Sequence, residues 1–376
     1  MDKRNVVSFL LVITLTGFMG GCGRADPATA STHGASSISI ARNGDNQASL
    51  PAGDRNGDER DDGAKCRRTL AGPINLPADD SVHPFSEFSD EWFYYSSHLF
   101  TDEGREFGFA QIVYTLLNPQ TGTPIQFVDS TVTDVRQGTY HFGGRQYAFS
   151  APVVLPGAFE FEIGTERVAG GNGHDVVHST VDDGAGPYVV DLELTSTKTP
   201  VFHIADGYVN YYSRELMRAT GTISIDGKLH HVHGTTWFDH QFGPQIVELS
   251  TVQNWTWIAV QLARDRQLLA LVVNRQDRTQ LVYGSYTDED CNTTQLGPGD
   301  FTLTALDSWS PSASCTYPYR WNIKVPSEEL DLDVVPLVQN QDILVPGVDR
   351  YYEGTARVAG SASGRAYVEL FGFCAP

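Results

Sequence analysis

The stretch GTTWFDHQFG, residues 234–243, is dense in threonine and aromatic residues and is bounded by glycine at both ends. Such a run is typical of a β-strand, on which successive side chains point to opposite faces. Trp237, Asp239 and Gln241 are therefore expected on one face of the strand. His240 and its two flanking phenylalanines are expected on the other face. The stretch thus predicts a strand that carries a carboxyl group beside an indole.

Runs of β-branched and aromatic residues recur along the chain, bounded by Gly, Pro, Asn and Asp. They cover residues 92–99, 107–116, 126–134, 188–196, 221–225, 256–262, 268–274, 281–286, 320–325 and 366–373. Many short strands with regular turns predict an all-β barrel or sandwich, and a barrel is favoured because closure removes exposed strand edges. We place a domain boundary near Met217, which gives an N-terminal β-domain over 66–217 and a C-terminal β-domain over 218–376.

The amino terminus has the features of an exported lipoprotein. Residues 6–18 form an apolar stretch that follows two basic residues, and it has the length of a secretory signal rather than of a membrane span. The sequence MGGC at residues 19–22 resembles a bacterial lipobox, in which the thiol of Cys22 receives the lipid. We predict a signal peptide over 1–21 and lipidation of Cys22. The alternative is a plain secretory signal with an incidental cysteine.

The segment that follows is expected to be a tether. Residues 22–65 are rich in small and polar residues and have almost no large apolar residue, so they cannot bury enough surface to fold. Gly23, rather than aspartate, follows the cysteine. By resemblance to sorted lipoproteins, this predicts an outer-membrane location for a lipidated, flexibly tethered protein.

Four further cysteines remain for disulfide formation in an oxidising compartment. Four cysteines allow three pairings. Cys291 and Cys315 are close in sequence, whereas Cys66 and Cys374 lie at the two ends of the folded region. We expect the disulfides Cys291–Cys315 and Cys66–Cys374.

The net charge of −20 argues against a nucleic-acid partner, which requires a basic face. No stretch after the signal is long and apolar enough for a second membrane span. We expect a monomer that contacts the membrane through its lipid anchor and binds a hydrophobic small molecule.

Four segments resemble the lipocalin-like family that includes carotenoid hydratase and the AttH-like proteins. They are EWFYYSSHL at 91–99, YYSR at 211–214, the opening stretch with WTW at 255–257, and YEG at 352–354 with YVELFGF at 367–373. The chain departs from the family pattern at Phe93, Ser97 and Phe242. The resemblance implies two consecutive lipocalin-like β-barrels with a hydrophobic pocket in or between them. Family members include hydratases of prenyl and isoprenoid double bonds and cofactor-independent cyclases or Diels–Alderases.

Asp239 is the candidate general acid. A carboxyl group among aromatic rings has a raised pKa, because desolvation disfavours its charged form, and a protonated carboxyl could protonate a carbon–carbon double bond. The rings of Trp237, Trp255 and Trp257 could stabilise the carbocation. Water held by Gln241 or His240 would then add. Neither a redox cofactor nor any other cofactor is expected.

The same residues allow a structural interpretation, in which Asp239 stays ionised in a polar cluster of the barrel wall. Further candidates for the wall of a ligand pocket are Glu91, Trp92, Tyr94, His98, Tyr211, Trp237, Trp255 and Trp257. Glu91 could be a second pocket carboxylate or a strand-end residue that closes the barrel.

A metal site is not expected. His231 and His233 share a strand face, but Thr236 and Trp237 stand where a cupin-like site would want a carboxylate. The chain also lacks a nucleophile elbow, a phosphate-binding loop and a dinucleotide fingerprint.

Three functions are therefore compatible with the sequence. The first is a hydratase, or a cyclase or isomerase, acting on an apolar polyene, terpenoid or prenylated molecule. The second is a tethered carrier of a lipid or other hydrophobic ligand, and the third is a structural envelope lipoprotein. Enclosure of Asp239 in an apolar site favours the enzyme, whereas bonds from wall backbone amides favour the carrier.

Overall fold

A computed structural model describes residues 74–85, 90–118, 121–203, 210–243 and 251–374. The predicted signal peptide, the lipidated Cys22, the tether and Cys66 lie outside these described residues.

Antiparallel strands form a first sheet of twelve strands. They are β1 (Asp90–Thr101), β2 (Glu106–Leu117), β3 (Pro124–Asp134), β4 (Thr139–Phe142), β5 (Gln146–Ala148), β6 (Phe159–Ile163), β7 (Glu166–Gly171), β8 (His174–Val181), β9 (Tyr188–Ser196), β10 (Val201–Phe202), β11 (Asn210–Ile225) and β12 (Lys228–Gly243). The spatial order is β4-β3-β2-β1-β12-β11-β9-β8-β7-β6, with β10 beside β11 and β5 beside β3.

A second antiparallel sheet has ten strands. They are β13 (Val252–Leu262), β14 (Arg266–Arg275), β15 (Gln280–Thr287), β16 (Thr293–Leu296), β17 (Thr302–Ser312), β18 (Cys315–Val325), β19 (Leu330–Pro336), β20 (Asp342–Val345), β21 (Asp349–Gly360) and β22 (Gly364–Phe371). The order is β16-β15-β14-β13-β22-β21-β19-β18-β17, with β20 beside β21. In both sheets the first strand in the chain pairs with the last, so the two halves repeat one topology.

The first sheet curls around its own core. Glu166 on β7 accepts hydrogen bonds from Gln111 on β2 (3.0 Å) and from Ser130 on β3 (2.7 Å). Five strands separate β2 from β7 along the sheet, so these bonds require the sheet to bend back on itself. The enclosed apolar core includes Phe93 and Phe238, which are fully buried.

Each sheet has its own apolar core. Burying a large apolar side chain stabilises a fold by roughly 1.5–3 kcal/mol, so these two cores supply the main driving force for the two curled sheets. The predicted all-β class is confirmed. Short 3-10 turns occur at Ala78–Asp80 and Pro326–Glu328. Within the described ranges, no helix has the length and hydropathy needed to cross a membrane.

The predicted domain boundary needs correction. Met217 lies inside β11, opposite Thr236 of β12, and both strands belong to the first sheet. The change of sheet falls between Gly243 and Val252. The residues after Met217, which suggested the start of a new strand, instead continue the same strand β11, with a register shift between Arg214 and Met217.

The predicted disulfide pairing is wrong. Cys315 is bonded to Cys374, with 4.0 Å between their Cα atoms. Cys291 is also disulfide-bonded, so neither Cys291–Cys315 nor Cys66–Cys374 forms. Cys315 begins β18 and makes an antiparallel bridge with Cys374, which follows β22. β18 and β22 are not neighbours in the sheet, so the tertiary fold, rather than proximity in sequence, selects the partner.

Candidate active site between the two sheets

The two faces of β12 meet different surroundings, as the alternation predicts. Trp237 belongs to an apolar cluster that joins the two sheets, whereas Phe238 and Phe242 belong to the core of the first sheet. In the strand register, Asp239 lies opposite Tyr94 of β1 and Ser213 of β11. Asp239 therefore sits at the middle of three paired strands.

An aromatic cluster between the sheets surrounds Asp239. The first sheet contributes Tyr94, Tyr211 and Trp237, and the second contributes Trp257, Tyr283 and Tyr367. Trp92 and Trp255 are half-buried and pack against the cluster. The structure thus brings together six of the eight residues that the sequence suggested for a pocket wall: Trp92, Tyr94, Tyr211, Trp237, Trp255 and Trp257.

His98 lies at the edge of this cluster. Its ring centroid is 5.7 Å from that of Tyr367, and its Nδ1 is 3.0 Å from the hydroxyl of Thr355 on the second sheet. Burial lowers the pKa of His98 to about 3, so its ring is neutral at physiological pH. His98 therefore joins the two sheets as a neutral hydrogen-bonding group.

Three side chains donate hydrogen bonds to the carboxyl group of Asp239. Trp237 Nε1 lies 2.6 Å from Oδ1, the hydroxyl of Tyr211 lies 2.7 Å from Oδ2, and the hydroxyl of Ser213 also bonds to Oδ1. The hydroxyl of Tyr211 in turn accepts a hydrogen bond from Trp257 of the second sheet (3.2 Å). The partners of Asp239 are thus aromatic and hydroxyl side chains from paired strands.

Burial decides the charge state of Asp239. Desolvation raises its pKa, the three hydrogen bonds lower it, and the net result is a pKa raised to about 7. Its ordinary pKa is near 4. A substantial fraction of Asp239 is therefore protonated at neutral pH and able to donate a proton.

A hydrogen-bonded chain leads from Asp239 toward the surface, and no sequence pattern indicated it. His203 follows the short strand β10, with its Nε2 2.6 Å from the hydroxyl of Ser213 and its Nδ1 2.6 Å from the hydroxyl of Tyr283. Tyr283 also lies 2.5 Å from the side-chain oxygen of exposed Gln295. Burial lowers the pKa of His203 to about 3. A neutral imidazole can accept a proton at one nitrogen and release one at the other.

A second buried carboxyl group, Glu353 on β21, faces the same cluster from the second sheet. The hydroxyl of Tyr94 donates a hydrogen bond to it. Burial and the nearby Glu369 raise its pKa well above the ordinary value. In the sequence, Glu353 stands in the YEG motif at 352–354, which carries part of the family resemblance. A glutamate at the centre of that motif was the available signal.

Two of the predicted catalytic or pocket residues lie on the opposite face of β12 from Asp239. His240 is fully buried in the first sheet, with its Nε2 2.6 Å from the carboxylate of Glu91. His240 therefore cannot hold a water molecule for Asp239, and Glu91 does not line the inter-sheet cluster. Gln241 is buried on the Asp239 face, between its paired residues Trp92 and Tyr211. It remains the candidate for binding water.

Glu91 and His240 belong to a separate polar triad with His83. His83 Nδ1 lies 2.8 Å from Glu91 Oε1, and the backbone amide of His83 donates to Glu91 Oε2 (2.9 Å). Burial alone would raise the pKa of Glu91, but the two imidazoles lower it below its ordinary value. One ligand atom from each of the three side chains lies within 4.8 Å of the others, an arrangement that could hold a metal ion.

The histidines of the β11–β12 hairpin differ from this triad. His231 and His233 are exposed, and His233 Nδ1 lies 3.8 Å from Asp102. Within the described residues, the histidines whose geometry could hold a metal ion are thus His83 and His240, and not His231 or His233.

Two cavities stand apart from Asp239. A surface cleft of about 650 Å³ lies on the outside of the second sheet and is lined by Thr304, Leu306, Asn322, Lys324, Asp331, Asp333, Gly360 and Ser361. A much smaller space lies inside the first sheet near Glu166 and Phe161. Asp239 lines neither of them.

Two curled antiparallel sheets that enclose an aromatic cluster between them define a lipocalin-like protein of the two-sheet class. The AttH-like family model matches residues 68–373, so the chain belongs to the AttH-like family. No curated protein sequence matches the chain.

Solved structures share this fold. An AttH protein from Nitrosomonas europaea aligns with a TM-score of 0.70 and 18% identity, over 81% of this chain and 98% of that chain. Kievitone hydratase from Nectria haematococca aligns with a TM-score of 0.61 and 17% identity, over 80% of this chain and 93% of that chain. At these identities the shared property is the fold, and the expected lipocalin-like architecture is confirmed.

Proposed function

We propose that the protein is a cofactor-independent hydratase, or a related cyclase or isomerase, that acts on a carbon–carbon double bond of an apolar polyene, terpenoid or prenylated molecule. The observation that carries this proposal is Asp239, which is buried among aromatic rings with its pKa raised to about 7. A general acid works best when its pKa lies near the operating pH. Asp239 meets that condition.

In the proposed reaction, the Asp239 carboxyl donates its proton to one alkene carbon. The π electrons form the new C–H bond and leave a cation on the other carbon. The rings of Trp237 and Trp257, with centroids 6.2 Å apart, would stabilise this cation. Addition of water and loss of its extra proton gives an alcohol, whereas loss of a proton from a neighbouring carbon gives an isomerised alkene.

Gln241 is the proposed site for water. Its side chain shares the face of Asp239, and its paired neighbour Trp92 is half-buried. Trp255, also half-buried, stacks on Phe371 with centroids 4.3 Å apart. These half-buried rings mark the end of the cluster at which an apolar substrate would enter.

The chain of Ser213, His203 and Tyr283 offers a route for returning the proton to Asp239. Each member is within hydrogen-bonding distance of the next. The water-derived proton restores the carboxyl, so the cycle consumes only the alkene and water. The fold shared with kievitone hydratase agrees with hydration as the reaction type.

We further propose that the enzyme is exported, that Cys22 anchors it by lipid in the cell envelope, with the outer membrane as the expected location, and that it works as a monomer. A hydrophobic small molecule is its proposed partner, and no nucleic acid is. The MGGC motif at 19–22 supports export and lipidation, and the net charge of −20 argues against a nucleic-acid partner.

The test is incubation of the full-length chain with prenylated and linear polyene compounds in isotopically labelled water, followed by mass spectrometry. We expect a product that gains one labelled water. Asp239→Asn should reduce turnover by roughly 10²–10⁴-fold, the usual contribution of a general acid. Substrate affinity should change little, because an amide preserves the shape of the carboxyl.

The pH dependence has a defined sign. The proposed acid must be protonated, so turnover should fall as the pH rises through about 7, where Asp239 ionises. Exposed His178→Ala is the control, since His178 bonds to Asp191 far from the cluster and should leave the profile unchanged. Equal turnover in Asp239→Asn would refute the acid role. Saturable ligand binding without turnover would instead identify a carrier.

A further inference from the structure

The triad of His83, Glu91 and His240 lies on the face of β12 opposite Asp239, and the proposed reaction does not use it. Glu91 Oε1 is 2.8 Å from His83 Nδ1 and 2.6 Å from His240 Nε2. Two imidazole nitrogens and a carboxylate oxygen are the donor set that Zn²⁺ and related first-row divalent metals accept. Three protein donors leave a fourth position for water.

The remaining nitrogens of both imidazoles also have oxygen partners. His240 Nδ1 lies 3.2 Å from the hydroxyl of Tyr212, which donates its own proton to Asp80 (2.5 Å). His83 Nε2 lies 3.7 Å from Asp79 Oδ1. Metal-binding histidines are commonly oriented in this way by an oxygen on the far nitrogen. Asp80, in the turn before β1, thus orients the ring of His240 through Tyr212.

Metal binding would replace a proton between His240 and Glu91. Tyr212 has a single proton and gives it to Asp80, so its oxygen accepts from His240 Nδ1–H. His240 Nε2 and Glu91 Oε1 are 2.6 Å apart, and a proton between them joins the pair when no metal is bound. A metal ion would take the place of that proton and bind both atoms.

The surroundings hold the ligands in place and leave access from one side. Phe242 stacks on His83 with centroids 3.8 Å apart, and Phe93 stacks on His240 at 4.0 Å. The side chains of His240 and Glu91 are 0% and 2% exposed, whereas that of His83 is 11% exposed. An ion could therefore enter beside His83.

We propose that His83, Glu91 and His240 bind one divalent transition-metal ion, with Zn²⁺ the first candidate. The ion ties the segment before β1 to the paired strands β1 and β12. Oxygen-seeking ions such as Mg²⁺ and Ca²⁺ do not fit, because two of the three donors are imidazole nitrogens. The site is independent of Asp239 and of the proposed double-bond chemistry.

The experiment uses the full-length chain, stripped of metal and titrated with Co²⁺. We expect one Co²⁺ per chain with a visible absorption band typical of nitrogen and oxygen ligands, and displacement by Zn²⁺. His83→Ala should weaken binding by at least about 100-fold, and Tyr212→Phe by roughly 10–100-fold. Folding of each variant is checked by circular dichroism.

His141→Ala is the matched control. His141 has nearly the same side-chain exposure (10%) and a carboxylate partner, Asp183, at 2.9 Å, but it is not part of the triad. This variant should bind Co²⁺ like the wild type. Unchanged binding in His83→Ala, or equal losses in His83→Ala and His141→Ala, would overturn the proposal.

A second measurement needs no variant. Zn²⁺ should protect His83 from modification by diethyl pyrocarbonate, with His141 and His178 unaffected, as read by peptide mass spectrometry. Equal modification of His83 with and without Zn²⁺ would overturn the site and would identify the triad as a hydrogen-bonded ion pair. Neither outcome bears on turnover at Asp239, so the two proposals fail separately.

Discussion

Asp239 and Glu91 are two buried carboxyl groups next to strand β12, 4% and 1% exposed, yet they differ in charge state. Neutral hydroxyl and indole donors surround Asp239, and burial raises its pKa to about 7. Two imidazoles contact Glu91 and lower its pKa despite burial. Burial is the common factor, so the difference comes from the partners. One face of the strand suits proton donation, and the other suits the binding of a cation.

Glu91→Gln should have the largest effect on stability in this comparison. It removes the negative charge between His83 and His240, and breaking a buried pair by removing one partner costs about 3–5 kcal/mol. Asp239→Asn should cost less than about 1.5 kcal/mol at pH 7, because an amide can keep a hydrogen bond to its donors. Urea unfolding of both variants measures the difference.

The converse result would contradict this contrast. A larger loss of unfolding free energy in Asp239→Asn than in Glu91→Gln would mean that Asp239 is ionised and structural.

The pH dependence of stability also tests whether Asp239 is protonated. Stability contributed by protonated Asp239 is full below its unfolded pKa near 4 and is lost as the pH rises through about 7. Asp239→Asn should remove that loss.

Trp237→Phe should have an intermediate effect. It keeps an aromatic ring but removes the Nε1–H donor 2.6 Å from Asp239. A hydrogen bond to a charged group contributes about 1.5–3 kcal/mol, so its loss should raise the pKa of Asp239 by about one to two units. The descending limb of the pH–rate profile should move to higher pH. A limb that stays in place, or moves to lower pH, would show that the indole does not stabilise the carboxylate.

His233→Ala should have the smallest effect. His233 is 61% exposed and its neighbour Asp102 is 82% exposed, so the substitution should change the free energy of unfolding by less than about 0.5 kcal/mol. Co²⁺ binding should also be unchanged. Loss of the bound metal in this variant, measured by the same titration, would return the metal site to the hairpin histidines and away from Glu91.

Much of the site could be predicted from the sequence because strand alternation is local. The face shared by Trp237, Asp239 and Gln241 follows from their spacing alone. The aromatic surroundings that raise the pKa of Asp239 were also visible in the run itself and in WTW at 255–257. The same alternation predicts that His240 lies on the opposite face from Asp239. The hypothesis that His240 could hold water for Asp239 was therefore wrong.

The missed residues are placed by the tertiary structure and carry no local sequence pattern that marks them. Glu353 reaches the cluster from the second sheet through Tyr94, which is 259 positions away in sequence. His203 follows a two-residue strand and reaches Tyr283, 80 positions away. His83 lies before β1 in a segment without strand periodicity, and the pairing of β1 with β12 brings its partner Glu91 to His240.

The sequence by itself determined the all-β class, many of the longer strands with their buried faces, and the carboxyl group at Asp239, because side-chain alternation and polarity are properties of neighbouring residues. Only the tertiary structure decided the pairing of Cys315 with Cys374, the change of sheet after Gly243, and the separation of Asp239 from the triad of Glu91. These features depend on strand order, register and sheet curvature. Those are set by the packing of two whole cores, and no short stretch of residues encodes them.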